Sequence, residues 1–325
     1  MRVNPVLVEV ERSGFVESWH RGSAIGLAAD GSTAVRVGEP EAPIFPRSAN
    51  KPMQAVAMLS TGVGLSDELL ALAAGSHSGE DFHVEGTEKI LAGAGLSAEA
   101  LRCPAQWPLE QSVGLELARS GGGESRLRMN CSGKHAGMLA ACVAAGWPTE
   151  SYLAPDHPLQ LAVRDVVTRL AGEEPVAVGV DGCGAPLFAV SANGVARAFR
   201  ALVLAEPGSP ERRVADAMRD YPQWTSGTGR EERRLMDAVP GLLVKCGAEG
   251  VDAFSFADGR AGVVKIDDGA MRARTPVTVA LLRALALDTV PGVDAGTLAD
   301  LATVRLRGGD GTAGEIRPAD GLFQG

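Results

Sequence analysis

The order of strand-rich and helix-rich segments predicts an α+β fold, in which an antiparallel sheet packs with a helical middle region. Residues 1–40 are rich in β-forming side chains between turn signals, whereas residues 48–171 carry apolar residues at helical spacing. Residues 172–325 mix the two patterns. Since strands stand at both ends of the chain, we expect the N- and C-terminal strands to lie side by side. A single domain over residues 1–325 is the expected organisation.

Each element follows from a local pattern. The N-terminal strands are short β-rich runs between Ser-Gly, Arg-Gly and Asp-Gly pairs, at Val6–Val10, Phe15–His20, Ser23–Leu27 and Thr33–Val37. Helices are expected where Ala and Leu recur at about 3.6-residue spacing, at Lys51–Leu59, Asp67–Ala74, Phe82–Ala92, Gln111–Ala118, Gly133–Ala145 and Leu159–Leu170. The later strands are expected at Ala177–Val180, Gly241–Lys245, Ala253–Phe256 and Gly262–Ile266, and two further helices at Pro276–Ala286 and Thr297–Leu301. A linker, if the chain had one, would fall at Gly208–Asp216.

Length, composition and charge exclude several classes of protein. A chain of 325 residues can bury roughly 75% of its unfolded surface, so its core needs no disulfides. The net charge of −9 and the aromatic content of 4% argue against a nucleic-acid partner, because phosphate backbones repel acidic surfaces. We expect neither a membrane span nor a signal peptide, since no apolar run is long enough for either. Five cysteines without an export signal predict reduced thiols and a cytoplasmic location.

The segment Arg47-Ser48-Ala49-Asn50-Lys51-Pro52 places a serine and a lysine three residues apart at a helix start. Side chains at this spacing share one helical face, with Cβ atoms about 5–6 Å apart. The positive end of the helix dipole helps such a lysine lose its proton, and the neutral amine can then deprotonate the serine. The alternative is an ordinary helix start, with Ser48 as the N-cap and Lys51 in solvent.

Two further segments place serine or lysine next to glycine. Gly75-Ser76-His77-Ser78-Gly79-Glu80 follows an apolar helix and fits either a catalytic loop or a polar turn, and the turn is the simpler interpretation. Lys245 ends an apolar strand before Cys-Gly, a pattern similar to the Lys-Thr-Gly strand of penicillin-recognising enzymes. Lys265 is a competing strand lysine, and alternation along a strand could place either one in solvent.

Thiol, amine and imidazole groups meet at a third helix start. Asn130-Cys131-Ser132-Gly133-Lys134-His135 opens this helix, and Val180-Asp181-Gly182-Cys183 ends a short strand later in the chain. Four of these side chains are suitable zinc ligands by type, namely Cys131, His135, Asp181 and Cys183. Their spacing is not that of a Cys-x-x-Cys pair, and lysine is not a usual zinc ligand. The alternative for Cys131 is a small buried core residue.

Taken together and in this order, the motifs resemble those of the Rhizobium etli-type (class 3) L-asparaginases. The matching segments are Ser48–Pro52, Ser76–Ser78, Asn130–His135, Asp181–Cys183 and Lys245–Gly247. The resemblance implies a fold similar to serine β-lactamases and glutaminases. It also implies hydrolysis of L-asparagine to L-aspartate and ammonia, often by a homodimer.

The resemblance implies site residues as well. The two Ser-Lys pairs of the family fall on Ser48 with Lys51 and on Ser76 with Lys245, and its zinc ligands fall on Cys131, Lys134 and Cys183. Of the two serines, we expect Ser48 to be the nucleophile, with Lys51 as its base. Zinc is expected to organise substrate-binding groups and not to supply hydroxide. We expect Arg47 or Arg230 to pair with the substrate carboxylate, because a small zwitterion needs a cationic anchor. His135 and Asp181 are the other side chains expected to contact the substrate, and in the resemblance Asp181 falls beside the metal.

Two other interpretations of the motifs stay open. A glutaminase or a penicillin-recognising serine hydrolase could use a similar scaffold, although the Ser-Asp-Asn motif of the latter is absent from the sequence. A non-enzymatic zinc-binding module would account for the cysteines but not for the two Ser-Lys pairs. Ammonia release from L-asparagine and L-glutamine separates these interpretations.

Overall fold

The computed structural model describes residues 3–323 of the chain. These residues form two compact units, each assembled from separate stretches of sequence. The first unit contains the described residues up to Ala49, Val190–Leu204 and the described residues from Arg234 onward. The second unit contains Asn50–Ala189 and Ala205–Arg233. The expected single domain over residues 1–325 stays a prediction.

Strands and helices occur in the following order. The strands are β1 (Val6–Arg12), β2 (Phe15–Leu27), β3 (Thr33–Val37), β4 (Pro43–Ile44), β5 (Ala177–Val180), β6 (Pro186–Ser191), β7 (Leu242–Gly247), β8 (Val251–Phe256), β9 (Ala261–Ile266), β10 (Val304–Gly308) and β11 (Gly311–Pro318). The helices are α1 (Lys51–Leu59), α2 (Asp67–Ala73), α3 (Asp81–Gly93), α4 (Gln111–Arg119), α5 (Ser132–Ala145), α6 (Pro158–Ala171), α7 (Ala192–Leu204), α8 (Pro210–Asp220), α9 (Pro222–Thr225), α10 (Glu231–Ala238), α11 (Met271–Ala284) and α12 (Ala295–Leu301). Short 3₁₀ helices cover Arg47–Asn50 and Ala98–Ala100.

An antiparallel sheet is the framework of the first unit. Its strands lie in the order β10-β11-β1-β2-β9-β8-β7, and β3 pairs with β2. The N-terminal strand β1 pairs with β2 on one side and with the C-terminal strand β11 on the other. Strand β2 also pairs with β9, a strand from the later part of the chain. The predicted α+β fold, with N- and C-terminal strands side by side in an antiparallel sheet, is confirmed.

Strand β2 corrects one expectation from the sequence. Phe15–His20 and Ser23–Leu27 are predicted as two strands separated by a turn at Arg21-Gly22, but they belong to one strand of 13 residues. Gly22 lies inside this strand, where a Cβ atom would stand 2.1 Å from the carbonyl oxygen of Lys265. The glycine therefore permits the close approach of β9 and does not make a turn.

Helices α7 and α11 pack against the sheet of the first unit. The buried cluster formed by α11 and the sheet includes Leu7, Phe254, Val264 and Leu281. Burying each such side chain stabilises the fold by about 1.5–3 kcal/mol. Helix α11 begins at Met271, five residues before the predicted start at Pro276, so the proline lies inside the helix.

Helix α5 packs against α1, α2 and α3 in the second unit. Its residues from Ser132 to Cys142 are all buried. A Cβ atom on Gly133 would stand 2.5 Å from Leu72 Cγ, and one on Gly137 would stand 2.9 Å from Met58 Sδ. Two glycines four residues apart lie on one face of a helix. They let α1 and α2 approach α5 closely, and this packing holds the first turn of α5 inside the unit.

The segment expected as the place for a linker, Gly208–Asp216, is mostly helix, since α8 occupies Pro210–Asp220. Ser209 caps this helix by accepting a hydrogen bond from the backbone N–H of Arg212 at 3.2 Å, and Pro210 takes the first helical position. Both are signals of a helix start. Local sequence patterns do not predict β6, α7, α10 or the hairpin of β10 and β11. Within residues 3–323, every helix is too short or too polar to cross a bilayer.

Candidate active site

Lys51 begins α1 in the second unit and is almost completely buried, with 1% of its surface exposed. Its Nζ donates hydrogen bonds to the carbonyl oxygen of Gly75 at 2.5 Å and to that of Asn130 at 3.4 Å. Nζ also lies 2.9 Å from the Oγ atom of Ser76. The fold thus brings together a lysine and a serine that are 25 residues apart in the chain. Both residues are predicted site residues, but the sequence analysis does not pair them with each other.

The loop that carries Ser76 is anchored by backbone hydrogen bonds. The N–H of Ser76 donates to the carbonyl oxygen of Thr225 at 2.8 Å, and the N–H of His77 donates to that of Asn130 at 3.1 Å. A Cβ atom on Gly75 would stand 2.4 Å from the Thr225 carbonyl oxygen, so this contact requires glycine. The loop is therefore a packed part of the second unit.

His77 supports this loop from inside. Its Nδ1 accepts a hydrogen bond from the N–H of Gly79 at 3.2 Å, and its Nε2 lies 2.8 Å from the Oγ atom of Ser132. Because Nδ1 accepts, Nε2 carries the proton and donates to Ser132. Burial, together with the nearby side chains of His83 and Lys51, lowers the pKa of His77 well below its ordinary value. The imidazole is therefore a neutral structural support.

The contact between Lys51 and Ser76 suits proton transfer. A neutral lysine amine has two N–H bonds, which the two carbonyl oxygens can accept, and one lone pair, which can take the serine proton. A lysine ammonium donates to all three oxygens instead. Since both protonation states keep these hydrogen bonds, a proton can move without rearrangement of the side chains. A pair of this kind can activate a hydroxyl group for attack on an amide carbonyl.

Cys131, Lys134 and Cys183 form a buried thiol–amine cluster in the second unit. Lys134 Nζ donates a hydrogen bond to Cys183 Sγ at 2.9 Å. A hydrogen bond from Cys183, aided by the ammonium groups of Lys51 and Lys134, holds the pKa of Cys131 well below its ordinary value despite burial. Burial opposes the charge of Lys134, but the two sulfurs outweigh this effect and raise the lysine pKa. The cluster therefore favours a thiolate beside an ammonium.

The donor chemistry of this cluster fits zinc. Two sulfurs and one amine nitrogen are in contact, and cysteine thiolate is a preferred zinc ligand. The low pKa of Cys131 favours metal binding, whereas Lys134 would have to lose its proton to become a ligand. In the described part of the chain, no group of three or more His, Cys, Asp or Glu side chains is placed to hold a metal ion. A metal here would depend on the lysine as a third donor, and zinc stays a prediction.

Two residues expected to bind substrate lie next to this cluster. Asp181 Oδ2 is 3.6 Å from Cys183 Sγ. His135 is fully buried, and its Nδ1 lies 2.6 Å from the hydroxyl oxygen of Tyr152. Burial, with the nearby charge of Lys134, lowers the pKa of His135 to about 4. The imidazole is therefore neutral near pH 7.

Arg230 is the third residue of the second unit that is expected to contact the substrate. It lies at the end of a turn that hydrogen bonds to a carboxylate hold in place. Glu80 accepts hydrogen bonds from the backbone N–H of Thr228 at 2.8 Å and from its hydroxyl group at 2.6 Å. The Nε of Arg230 is 3.6 Å from an oxygen of Glu232. The turn thus has a defined backbone, and the guanidinium group lies beside a carboxylate.

In the first unit, the turn that carries Ser48 packs against the end of β7. A Cβ atom on Gly247 would stand 2.3 Å from the carbonyl oxygen of Pro46, so glycine is required for this approach. Lys245 lies on β7 with 1% of its surface exposed. Its Nζ donates to the carbonyl oxygen of Cys246 at 2.6 Å. Burial of Lys245 excludes the solvent-facing alternative for this residue.

Two residues near the predicted site have unusual backbone conformations. Arg47 directly precedes Ser48, and Glu249 follows Lys245 by four residues. Their φ angles are 52° and 60°, in the left-handed region that favours glycine. Such residues cost on the order of 1 kcal/mol each and are common at functional sites. The Nη1 of Arg47 lies 3.7 Å from Oε1 of Glu249. Arg47, which we expect to bind a substrate carboxylate, thus already contacts a carboxylate group.

Several contributors to the site are not among the predicted site residues. Gly75 and Asn130 act through backbone carbonyl oxygens, which every residue has, so no sequence pattern could reveal them. Tyr152 lies in a turn without a motif. Asn50 is buried, and among residues 3–323 its side-chain amide has no hydrogen-bond partner. Since buried amides normally contact protein, water or ligand, Asn50 is a further candidate for substrate contact.

The buried contact between a lysine amine and a serine hydroxyl is compatible with a serine hydrolase that uses lysine as a base. Comparison with protein families shows which kind of hydrolase this chain is. The family model described as L-asparaginase II matches residues 8–318. Because the match extends over nearly the whole chain, this protein belongs to the L-asparaginase II family and is an amidohydrolase. The narrower likeness to the Rhizobium etli-type enzymes stays a prediction.

Solved structures with a similar fold include hydrolases. A Bacillus glutaminase has 12% identity and a TM-score of 0.45, over 82% of this chain and 90% of that chain. A β-lactamase from Mycobacterium bovis has 14% identity and a TM-score of 0.38, over 86% of this chain and 95% of that chain. At these scores the likeness carries no conclusion about function. A search of curated proteins found no match.

Proposed function

We propose that this protein hydrolyses L-asparagine to L-aspartate and ammonia. The observation that carries the proposal is the 2.9 Å contact between Lys51 Nζ and Ser76 Oγ, in a chain that belongs to the L-asparaginase II family. Family membership supports the amide substrate. The contact supports a serine-based reaction, because amide hydrolysis needs a nucleophile, a base and a proton for the leaving ammonia.

In the proposed reaction, a serine oxygen attacks the carboxamide carbon of the substrate while its proton passes to a lysine amine. The C–N bond of the tetrahedral intermediate then breaks, and the leaving nitrogen takes the proton and departs as ammonia. Water attacks the acyl-enzyme in the same manner and releases L-aspartate. We assign the attack to Ser48 and the base to Lys51. Ser76 would pass the proton on, with Lys245 as its predicted partner.

Ammonia release from L-asparagine and L-glutamine tests the proposal. We expect the wild type to release ammonia from L-asparagine, and Ser48→Ala and Ser76→Ala to be slower by at least about 10³-fold. Ser120→Ala is a matched control at an exposed helix end and should keep the wild-type rate. Ammonia from neither amide would contradict the proposal, and ammonia from L-glutamine alone would favour a glutaminase.

The other interpretations make distinct predictions. A penicillin-recognising hydrolase would form a covalent adduct with a penicillin at Ser48, visible by intact mass spectrometry. A zinc-binding module would contain stoichiometric zinc and hydrolyse no amide. The asparaginase proposal predicts no penicillin adduct, and it predicts ammonia release whether or not zinc is bound.

The identity of the nucleophile can be read from the acyl-enzyme. Acid quenching during turnover of L-asparagine, followed by peptide mapping, should give an acyl group on the peptide that contains Ser48. An acyl group on Ser76 would overturn this assignment and make the observed contact with Lys51 the nucleophilic pair. Either result is compatible with asparaginase activity, so the two questions are separate.

The substrate carboxylate is proposed to contact Arg47 or Arg230, with Asp181 and His135 near the remaining polar groups. A charge-assisted hydrogen bond to an arginine is worth about 1.5–3 kcal/mol. We therefore expect KM for L-asparagine to rise at least about tenfold in Arg47→Ala or in Arg230→Ala. An unchanged KM in the double variant would rule out both anchors.

Zinc is the proposed cofactor, and Cys131, Lys134 and Cys183 would hold it. When bound, the metal would organise groups that bind the substrate. Because Lys134 must lose its proton, zinc binding should release protons, which an indicator dye can measure at neutral pH. Cys183→Ser should weaken zinc binding, whereas Cys142→Ser, a buried cysteine later in α5, should not. A folded, metal-free protein that bound substrate normally but had no turnover would contradict the organising role.

The homodimer and the cytoplasmic location stay predictions. Sedimentation equilibrium at micromolar concentration tests the first, with a single species of twice the 33.5 kDa chain mass as the expected result. A monomer under these conditions would contradict it.

A further inference from the structure

Tyr152 contacts the candidate site through its hydroxyl group and has no exposed surface. The hydroxyl oxygen accepts a hydrogen bond from the backbone N–H of Arg102 at 3.1 Å. The same oxygen lies 2.6 Å from Nδ1 of His135. The two rings meet edge to face, with centroids 5.6 Å apart. The phenol is thus held between a backbone donor and one nitrogen of the histidine.

A count of protons decides the direction of the bond between Tyr152 and His135. A phenol has one proton to donate. The N–H of Arg102 already points to the phenol oxygen, and within residues 3–323 the only acceptor found for the phenol proton is Nδ1 of His135. If Nδ1 carried the proton instead, a buried hydroxyl would be left without an acceptor, which folded proteins avoid. The tyrosine therefore donates, and Nδ1 accepts.

The other nitrogen of His135 faces the thiol–amine cluster. A neutral imidazole has one proton, so an accepting Nδ1 leaves the proton on Nε2. Nε2 is buried and makes no hydrogen bond of regular geometry to the described residues. Cys183 opposes the lowering of the His135 pKa, so its sulfur, which can accept a hydrogen bond, lies near the imidazole.

We propose that Tyr152 is a positioning residue that fixes His135 in the Nε2–H tautomer, so that the imidazole donates a hydrogen bond toward Cys183. The imidazole thereby donates to the sulfur and is not a metal ligand, because a protonated Nε2 has no lone pair available for a metal. His135 therefore has a different role from Cys131 and Cys183, although all three are suitable zinc ligands by type. The tautomer does not depend on the proposed function, whereas the effect on turnover given below rests on it.

The test uses protein labelled with ¹⁵N-histidine. Long-range ¹H–¹⁵N correlation spectra at neutral pH distinguish the Nε2–H tautomer from the Nδ1–H tautomer and from imidazolium by the pattern of two-bond cross-peaks. With five histidines in the chain, the His135 signals are assigned as those missing from His135→Gln. We expect the Nε2–H pattern for His135 in the wild type. A Nδ1–H or imidazolium pattern would overturn the proposal.

The positioning role of Tyr152 is tested by replacing it with phenylalanine, which removes only the hydroxyl group. Tyr152→Phe should lose the fixed Nε2–H pattern of His135 and give averaged signals, because Nδ1 no longer has its donor. The chain has only one other tyrosine, Tyr221, and Tyr221→Phe should leave the pattern unchanged. An unchanged pattern in Tyr152→Phe would overturn the positioning role. If Tyr152→Phe fails to fold, the wild-type spectrum alone still decides the tautomer.

Turnover gives a second readout. Outer-shell partners of metal ligands typically affect metal affinity or activity by about 10- to 100-fold. Because Tyr152 acts through His135 on Cys183, a proposed zinc ligand, we expect kcat/KM for L-asparagine to fall about tenfold or more in Tyr152→Phe and not in Tyr221→Phe. An unchanged kcat/KM in folded Tyr152→Phe would overturn the positioning role. If the wild type has the Nε2–H tautomer but hydrolyses no amide, the proposed function fails while the tautomer stands.

Discussion

The two units each bury a cation among polar partners, and the partners differ. In the first unit, Arg274 on α11 forms an ion pair with Asp252 on β8, and the Thr278 hydroxyl donates to the same carboxylate at 2.9 Å. In the second unit, Lys51 contacts a serine hydroxyl and two carbonyl oxygens. Arginine keeps its proton under all physiological conditions, whereas a buried lysine can lose it.

The comparison teaches that burial of a charge does not by itself mark an active site. Asp252 and Arg274 have 1% and 3% of their side chains exposed, which is as low as for Lys51. The carboxylate–guanidinium pair fixes α11 to the sheet and offers no proton to transfer. The lysine–serine pair has a transferable proton and a hydroxyl that can attack carbon. The chemistry of the partner thus distinguishes a buried cation that can only hold the fold together from one that can exchange a proton.

The largest expected effect is the loss of activity when Lys51 in the second unit is replaced. Lys51→Arg keeps the positive charge but removes the base, so ammonia release from L-asparagine should fall at least about 10³-fold. Lys51→Met is the companion variant, since it removes the amine with little change in length. Circular dichroism and thermal unfolding check that both variants fold. Activity above a tenth of the wild type in folded Lys51→Arg would show that the lysine is not the base.

The next largest effect is a loss of stability when the buried ion pair of the first unit is broken. Asp252→Asn leaves a buried guanidinium without its counter-charge and should lower the free energy of unfolding by about 3–5 kcal/mol, measured by urea denaturation. The folded fraction should keep its activity at low urea. Asp320→Asn is a matched control, because Asp320 also pairs with an arginine but is 92% exposed, and it should cause no measurable change. Similar stability of both variants would make the buried pair unimportant.

A smaller effect on stability is expected where Gly247 packs against the turn that carries Ser48. Gly247→Ala would place a Cβ atom 2.3 Å from the Pro46 carbonyl oxygen, and the backbone shift should cost about 3 kcal/mol of unfolding free energy. Gly93→Ala, with no atom within 4 Å of the added carbon, should stabilise α3 by about 0.5–1 kcal/mol. Opposite signs in the two variants are the expected result. A neutral Gly247→Ala would contradict the packing argument.

The smallest effect is a pH dependence from the second unit. Burial lowers the pKa of His83 to about 4, below its unfolded value of about 6.5. As the pH falls from 6.5 toward 4, the unfolded state takes up a proton that the native state does not, so stability is lost within this window. His83→Gln should therefore lose about 2 kcal/mol less than the wild type between pH 7 and pH 5. An equal loss in both proteins would mean that His83 is not kept neutral.

The sequence predicts much of the fold because strand and helix patterns are local. The helices α1 and α2 and the strand β5 lie close to their predicted bounds, and the order of segments predicts that N- and C-terminal strands share one sheet. Gly22 is misread as a turn because the reason for a glycine there is the carbonyl oxygen of Lys265, 243 residues further along the chain. The β10–β11 hairpin is missed because its strands carry glycines and charges and are stabilised by pairing with β1.

For the site, the sequence alone supplies the residues that are proposed to carry the chemistry. Ser48, Lys51, Ser76, Lys245 and the cysteine cluster are found because their residue types are rare in combination and their order resembles one family. Three-dimensional packing decides which of these groups touch. The contact of Lys51 with Ser76, the backbone oxygens that share Nζ, and the tyrosine that sets the state of His135 come from distant parts of the chain. Proton positions depend on such contacts, and no local pattern records them.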